Sequence, residues 1–178
     1  MNYGKKVGIL LLLLCLAVFG LCACGTVTTE EAGEYLDEGE QTASSGGGSG
    51  ECTVTIECLT ILDHPEKLDP AKKELVPEDG ILLAETTVAF EEGESVMDVL
   101  KKVTRDNKIQ MEFEESPAYD GGYVEVIGNL YEFDCGAASG WEFFVNGWSP
   151  NYSAGNYIVS DGDVIAWRYT CDNGKDLE

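Results

Sequence analysis

The chain has 178 residues, with 33 acidic against 11 basic side chains and a formal charge of −22 at neutral pH, enough for one domain plus appendages. A field of that sign repels phosphate backbones, which argues against nucleic acid as a partner, and it equally repels an anionic membrane surface. With so many carboxylates some pair falls at hydrolase spacing by chance, so composition gives no argument for acid/base catalysis.

Residues 1–23 carry Lys5 and Lys6, then an apolar run from Val7 to Leu21, then small residues, which is the layout of an export signal. The run falls short of the ~20 residues that cross a ~30 Å hydrocarbon core, which disfavours a permanent spanning helix. Leu21-Cys22-Ala23-Cys24 resembles a bacterial lipobox. That resemblance implies cleavage before Cys24, a diacylglycerol on its sulfur, and a protein lipid-anchored to the membrane at the extracellular face of the bacterial cytoplasmic membrane. An ordinary signal peptide with incidental cysteines is the alternative. Residues 24–51 are acidic, poor in apolar side chains and end in a Ser/Gly run. Such a segment cannot bury enough surface to fold and is expected to be a disordered tether with a reach on the order of 30 Å. The folded domain is expected at residues 52–178.

In CTVTIECLTIL, Val54, Ile56 and Cys58 alternate with Thr53, Thr55 and Glu57, predicting a strand with one buried face. A proline-rich loop containing His64 follows, then ILLAETTVAF as a second strand. Ser95 with Asp98 three residues on is a capping signature, and Val96, Val99, Leu100 and Val103 fall at helical spacing, predicting a helix over 95–105. IQMEFEES alternates, and GYVEVIGNLYEFDCG breaks at Gly128-Asn129 into two short strands. WEFFVNGW runs into Asn146-Gly147, a strong hairpin-turn signal. NYIVSDGDVIAWRYT repeats that device around 160–163, and its last strand, Val164 to Thr170, places Ile165, Trp167 and Tyr169 on one face. One helix packed across a mixed sheet is an α+β arrangement, β-grasp-like, with the first and last strands parallel at its centre.

Four cysteines fall in this region, Cys52, Cys58, Cys135 and Cys171, and an even number in an exported chain favours disulfides, with three pairings open and free buried thiols as the alternative. The parallel first and last strands bring Cys58 nearer than Cys52 to Cys171, so a bridge is expected there. No Cys-x-x-Cys spacing occurs and His64 is the single histidine, so no metal site is expected. Asn151-Tyr152-Ser153 matches a glycosylation acceptor by chance, and Asp172 to Asp176 lacks the full calcium-loop pattern and reads as a solvated tail.

LVPEDGILLAETTVAFEEGESVMDVL, GNLYEFDCGAASGWEFFVNGWSPNY and DGDVIAWRYTCDNGKD together resemble the transcobalamin-like C-terminal domain family, catalogued in bacteria as a domain of unknown function. The resemblance covers roughly Cys52 to Asp176, and its most specific pieces are Gly140-Trp141, Val145-Asn146-Gly147 and Asp161-Gly162-Asp163. Many bacterial members carry a cysteine after the Asn-Tyr, where this chain has Ser153, Ala154 and Gly155. In the animal proteins of the family the domain is a β-rich lid that closes on cobalamin together with a helical barrel, for which this chain has no room. The resemblance therefore implies a corrinoid as a candidate ligand, without a cobalt-ligating histidine, and no other cofactor.

The stretch GWEFFVNGWSPNY concentrates five aromatic rings in an acidic chain. Alternation makes Trp141 and Phe143 one face of a strand. Trp148, Asn151 and Tyr152 lie beyond the turn, either folding back over the hairpin or forming a binding surface with Tyr157, Tyr119 and Tyr123. No nucleophile motif accompanies His64, so no catalytic residue is assigned. The reading is a non-catalytic, surface-tethered module for a small flat ligand. Its rival is a structural or adhesive domain that meets an envelope protein through an exposed sheet edge.

Overall fold

In a computed structural model, the described residues are 48–116 and 119–177. The signal, Cys24 and nearly all of the tether lie outside them. The elements are β1 (Gly50–Glu57), α1 (Leu59–Asp63), β2 (Ile81–Phe90), α2 (Val96–Asn107), β3 (Met111–Ser116), β4 (Tyr119–Ile127), β5 (Leu130–Tyr131), β6 (Gly140–Val145) and β7 (Val164–Thr170), with 3-10 turns at Pro70–Leu75 and Ala154–Asn156. No helix among the described residues is long and apolar enough to cross a membrane.

The first and last strands do pair in parallel, Val54 beside Ile165 and Ile56 beside Trp167, at the centre of a sheet ordered β2-β1-β7-β6. Buried Cys52, Val54 and Ile56 of β1 and Ile165, Trp167 and Tyr169 of β7 supply one face of this sheet to the core, as period-two alternation requires. The α2 helix buries Val96, Met97, Val99, Leu100 and Val103 in the same cluster. The architecture is α+β, with one correction to the single expected sheet. Strands β3, β4 and β5 form a second, antiparallel sheet.

Three boundaries also differ from expectation. β1 starts at Gly50, inside the expected tether, because Glu51 N–H donates to the Asp161 carboxylate and Glu51 C=O accepts from Gly162 N–H. CLTIL leaves the ladder and becomes α1, where the Thr60 hydroxyl donates to the Tyr169 carbonyl and Ile61 is buried. NYIV forms no hairpin strand. It bridges instead to the entry of α2, with Val96 N–H donating to Tyr157 O at 2.9 Å and Val159 N–H to Glu94 O at 3.0 Å.

The Asp-Gly-Asp motif ties three segments together. The Asp163 carboxylate accepts from Ser160 N–H and from the Asn146 side-chain amide, while its carbonyl accepts from Thr53 N–H. The tail is not merely solvated, since the Asp176 carboxylate turns back to accept from the Thr170 hydroxyl and from Cys171 N–H. On the outer face of the sheet Arg168 pairs with Glu57 at 2.9 Å and lies over the Phe144 ring.

The four cysteines are buried free thiols, so the expected Cys58–Cys171 bridge is not formed. The parallel register Glu57↔Arg168 carries Cys58 alongside Tyr169, short of Cys171, and the Cys58 thiol donates to the Gly80 carbonyl at 3.4 Å. Cys171 instead meets Thr60 at 3.8 Å and Cys135, whose thiol holds it below the ordinary thiol range. Burial pushes Cys52 up to about 11 and Cys58 up to about 12, so neither supplies a thiolate nucleophile at neutral pH.

Two measurements follow from these contacts. Folded protein at pH 8 is expected to leave Cys52 and Cys58 roughly a hundredfold or more slower toward a thiol-exchange reagent than the same protein in guanidinium; equal rates would overturn the burial of both thiols. In α2 the Ser95 hydroxyl accepts from Asp98 N–H while the Asp98 carboxylate accepts from Ser95 N–H. Burial alone would raise Asp98, but its hydrogen bonds from Ser95 outweigh it and hold the carboxyl below its usual value. Ser95→Ala is expected to cost about 1 kcal/mol, or roughly 3–6 °C in Tm. A lowered carboxylate adds stability above its unfolded value and loses it as pH falls through the folded one. The difference between wild type and Ser95→Ala should therefore shrink below about pH 4, as read by chemical denaturation across pH.

Candidate functional site

The hairpin turn after β6 has Asn146 at φ 53° and Gly147 at φ 81°, the two positive angles of a type I′ turn. Val145 and Trp148 exchange both backbone hydrogen bonds across it, at 2.8 and 3.0 Å, and the loop 149–156 then runs back toward β4. There Gly155 approaches so closely that a Cβ on it would sit 2.3 Å from the Gly121 carbonyl oxygen. Only a residue without a side chain permits that contact, and it fixes the loop against β4.

The rings of this region form a continuous ladder. Trp148 meets Tyr152 edge-on at 6.4 Å, Tyr152 stacks on Tyr157 at 6.1 Å and 16°, Tyr157 meets Phe143 edge-on at 6.5 Å, and Phe143 lies 5.5 Å from Trp167. Exposure falls along it from 39% at Trp148 and 36% at Tyr152 to 9% at Tyr157, 8% at Phe143 and 2% at Trp167. Neither side of the core-or-surface alternative is complete, because Trp148 and Tyr152 are partly exposed outer rungs resting on a buried inner stack.

Beside the ladder lies a cleft of about 440 Å³ between β4, β6 and the loop, lined by Gly122 to Val124, Trp141 to Phe143, Ser149, Pro150, Ser153, Ala154, Met97 and Trp167. That volume lies in the range of small-ligand sites. Of the sequence-predicted residues, Tyr123 lines it, and its hydroxyl donates to the Glu132 carboxylate. Trp148, Tyr152 and Tyr157 do not line the cleft but share the loop that does. Asn151 is exposed and lines neither ladder nor cleft, and the side chain of Tyr119 lies outside what is described.

Trp141, Phe143 and Trp167 were legible only as core. Trp141 is satisfied, its indole N–H donating to Leu130 O at 2.9 Å. Trp167 is not, because its buried Nε1 has no hydrogen-bond partner among the described residues. An unmet buried donor is costly, and here its residue forms part of a cleft wall. Glu142 lines the same cleft, and burial, then the nearby Asp176 carboxylate, push its carboxyl above the usual range. Among the described residues no three His, Cys, Asp or Glu side chains converge as a metal site.

Known proteins bear on this geometry. Residues 93–171, which include α2, β3 to β7 and the whole cleft lining, match the family model described as Domain of unknown function (DUF4430). No curated protein matches the chain. Among solved structures, haptocorrin in complex with Cbi superposes with a TM-score of 0.50 at 18% identity, covering 72% of this chain and 28% of that one. The chain thus spans little more than a quarter of haptocorrin's length, and the likeness is one of fold. A protein of Ruminococcus gnavus ATCC 29149, described as a proposed metal binding protein, aligns over 68% of this chain and 96% of its own with a TM-score of 0.40 and 20% identity. Residues 93–171 thus match the family described as Domain of unknown function (DUF4430), and the fold is transcobalamin-like.

Proposed function

We propose that this domain is a non-catalytic ligand-binding module that takes a flat, ring-shaped ligand, a corrinoid first among them, on the Trp148–Tyr152 face and the cleft beside it. The observation that carries this reading is the aromatic ladder from exposed Trp148 to buried Trp167, which ends in an indole donor without a partner among the described residues. Exposed rings offer stacking area at small entropic cost, and a donor at the base of an apolar cleft fixes orientation. The Cbi held by haptocorrin supports a corrinoid as the probe of choice. At about 440 Å³ the cleft suits one edge of so large a ring system, leaving the rest over the exposed pair. The export signal and a lipid on Cys24 would keep the module at the outer face of the membrane, on the tether of residues 24–51. Replacing Cys24 with Ala should release it to the medium, and retention on the membrane would sink the anchor.

Equilibrium dialysis of the full-length protein against cobinamide and cobalamin, with the corrinoid read by its own absorbance, tests the ligand. Saturable uptake is expected, weakened about tenfold or more in Trp148→Ala for the loss of one stacked ring. No uptake at hundreds of micromolar would overturn the corrinoid reading.

A further inference from the structure

The cleft has a second property that does not depend on the aromatic face. In the β6–β7 ladder Asn146 N–H donates to Val164 O at 2.8 Å. The alternation of an antiparallel pair then directs the backbone groups of Phe144, Glu142 and Gly140 at β7, and those of Trp141, Phe143 and Val145 the opposite way. Val145 is satisfied on that side by Trp148. Trp141 and Phe143 are not: β6 is the outermost strand of its sheet, β4 belongs to the other sheet, and neither residue's N–H or C=O has a partner there among the described residues. Two donors and two acceptors, spaced as in a strand, thus face the cleft that Trp141, Glu142 and Phe143 line.

We propose that this edge of β6 captures an extended, cationic peptide segment of another protein by strand addition. Exposed edges are normally covered or blunted, and the complementary N–H and C=O pattern of an extended backbone is what these groups lack. Charge selects the occupant. No lysine or arginine lines the cleft, Glu142 does, the Asp176 carboxylate acts on Glu142, and Tyr123 in the wall is bonded to Glu132. The whole chain carries a formal charge of −22. An acidic segment would be repelled, and a second copy of this acidic chain equally so. Lysine or arginine side chains alternating along the added strand would lie over Glu142 while the intervening apolar ones enter the cleft toward Phe143 and Trp167.

The test uses the full-length protein and a blocked hexapeptide of alternating valine and lysine. Hydrogen exchange at the Trp141 and Phe143 amides is expected to slow tenfold or more at saturating peptide. Of two peptides, each N-methylated at one residue of opposite register, one should lose about tenfold in affinity for each hydrogen bond removed. The matching valine–glutamate peptide should not bind, Glu142→Lys should reverse that preference, and Trp148→Ala should leave peptide binding unchanged, which separates this site from the corrinoid reading. No saturable binding at millimolar peptide overturns the proposal. So does binding without slowed exchange at the two amides, equal binding of the glutamate peptide, or slowed exchange that grows with protein concentration alone and marks pairing between copies.

Discussion

The parallel pairing of β1 with β7 is the constraint on which the rest of the molecule depends. It places Trp167 and Tyr169 at the middle of the sheet, beside Ile56 and under the cluster that includes α2. Everything functional is then hung from β7. β6 pairs on its outer side, the Asn146-Gly147 turn is set by that pairing, and the Tyr169 hydroxyl reaches Tyr131 O at 2.7 Å to hold the loop that follows β5. A parallel pair needs a long crossover, and the intervening helix, second sheet and cleft-forming loop all lie within this one.

The two sheets separate at β6 and β4, and that separation makes the cleft. Strands that continued one ladder would bury their edge groups in each other. Here β4 turns its pairing to β3 and β5, and β6 keeps only β7. The acidic surface and the aromatic wall meet at this gap, so a single opening presents rings, negative charge and backbone groups unpaired among the described residues at once. The two proposed guests would meet different atoms of that opening, a ring-shaped ligand its side chains and an extended peptide its main chain.

Much of the frame was legible in the residues themselves. Alternation marked β1 and β7 and their buried faces, Ser95 and Asp98 marked the start of α2, and Asn146-Gly147 marked the turn, because each is a local pattern with a local cause. The second sheet was not legible, since periodicity shows that a strand has a buried face but does not name its neighbour. α1 was not legible because Leu59 to Leu62 continue an apolar run, while the Thr60 hydrogen bond that anchors the turn reaches Tyr169, distant in the chain. At the site, Trp148 and Tyr152 stood out because they follow a turn in polar company. Trp167 did not, since a tryptophan on the inner face of a central strand looks like packing, and a hydrogen bond left unmade is a property of the assembled structure. The cysteines taught the same lesson, as parallel strands bring Cys58 toward Cys171 but their register stops short of it and leaves the thiols with other partners.

The contact of Gly155 with Gly121 has a consequence for selectivity. One wall of the cleft is held to the other by main chain against main chain, with no rotamer in between that can swing aside. The gap is therefore preorganised, and a guest that fits pays little to order it. A guest slightly too wide finds nothing to yield, because close-packed backbone transmits strain instead of absorbing it. For a guest of the proposed kind, discrimination by width would rest on two positions that do not line the cleft.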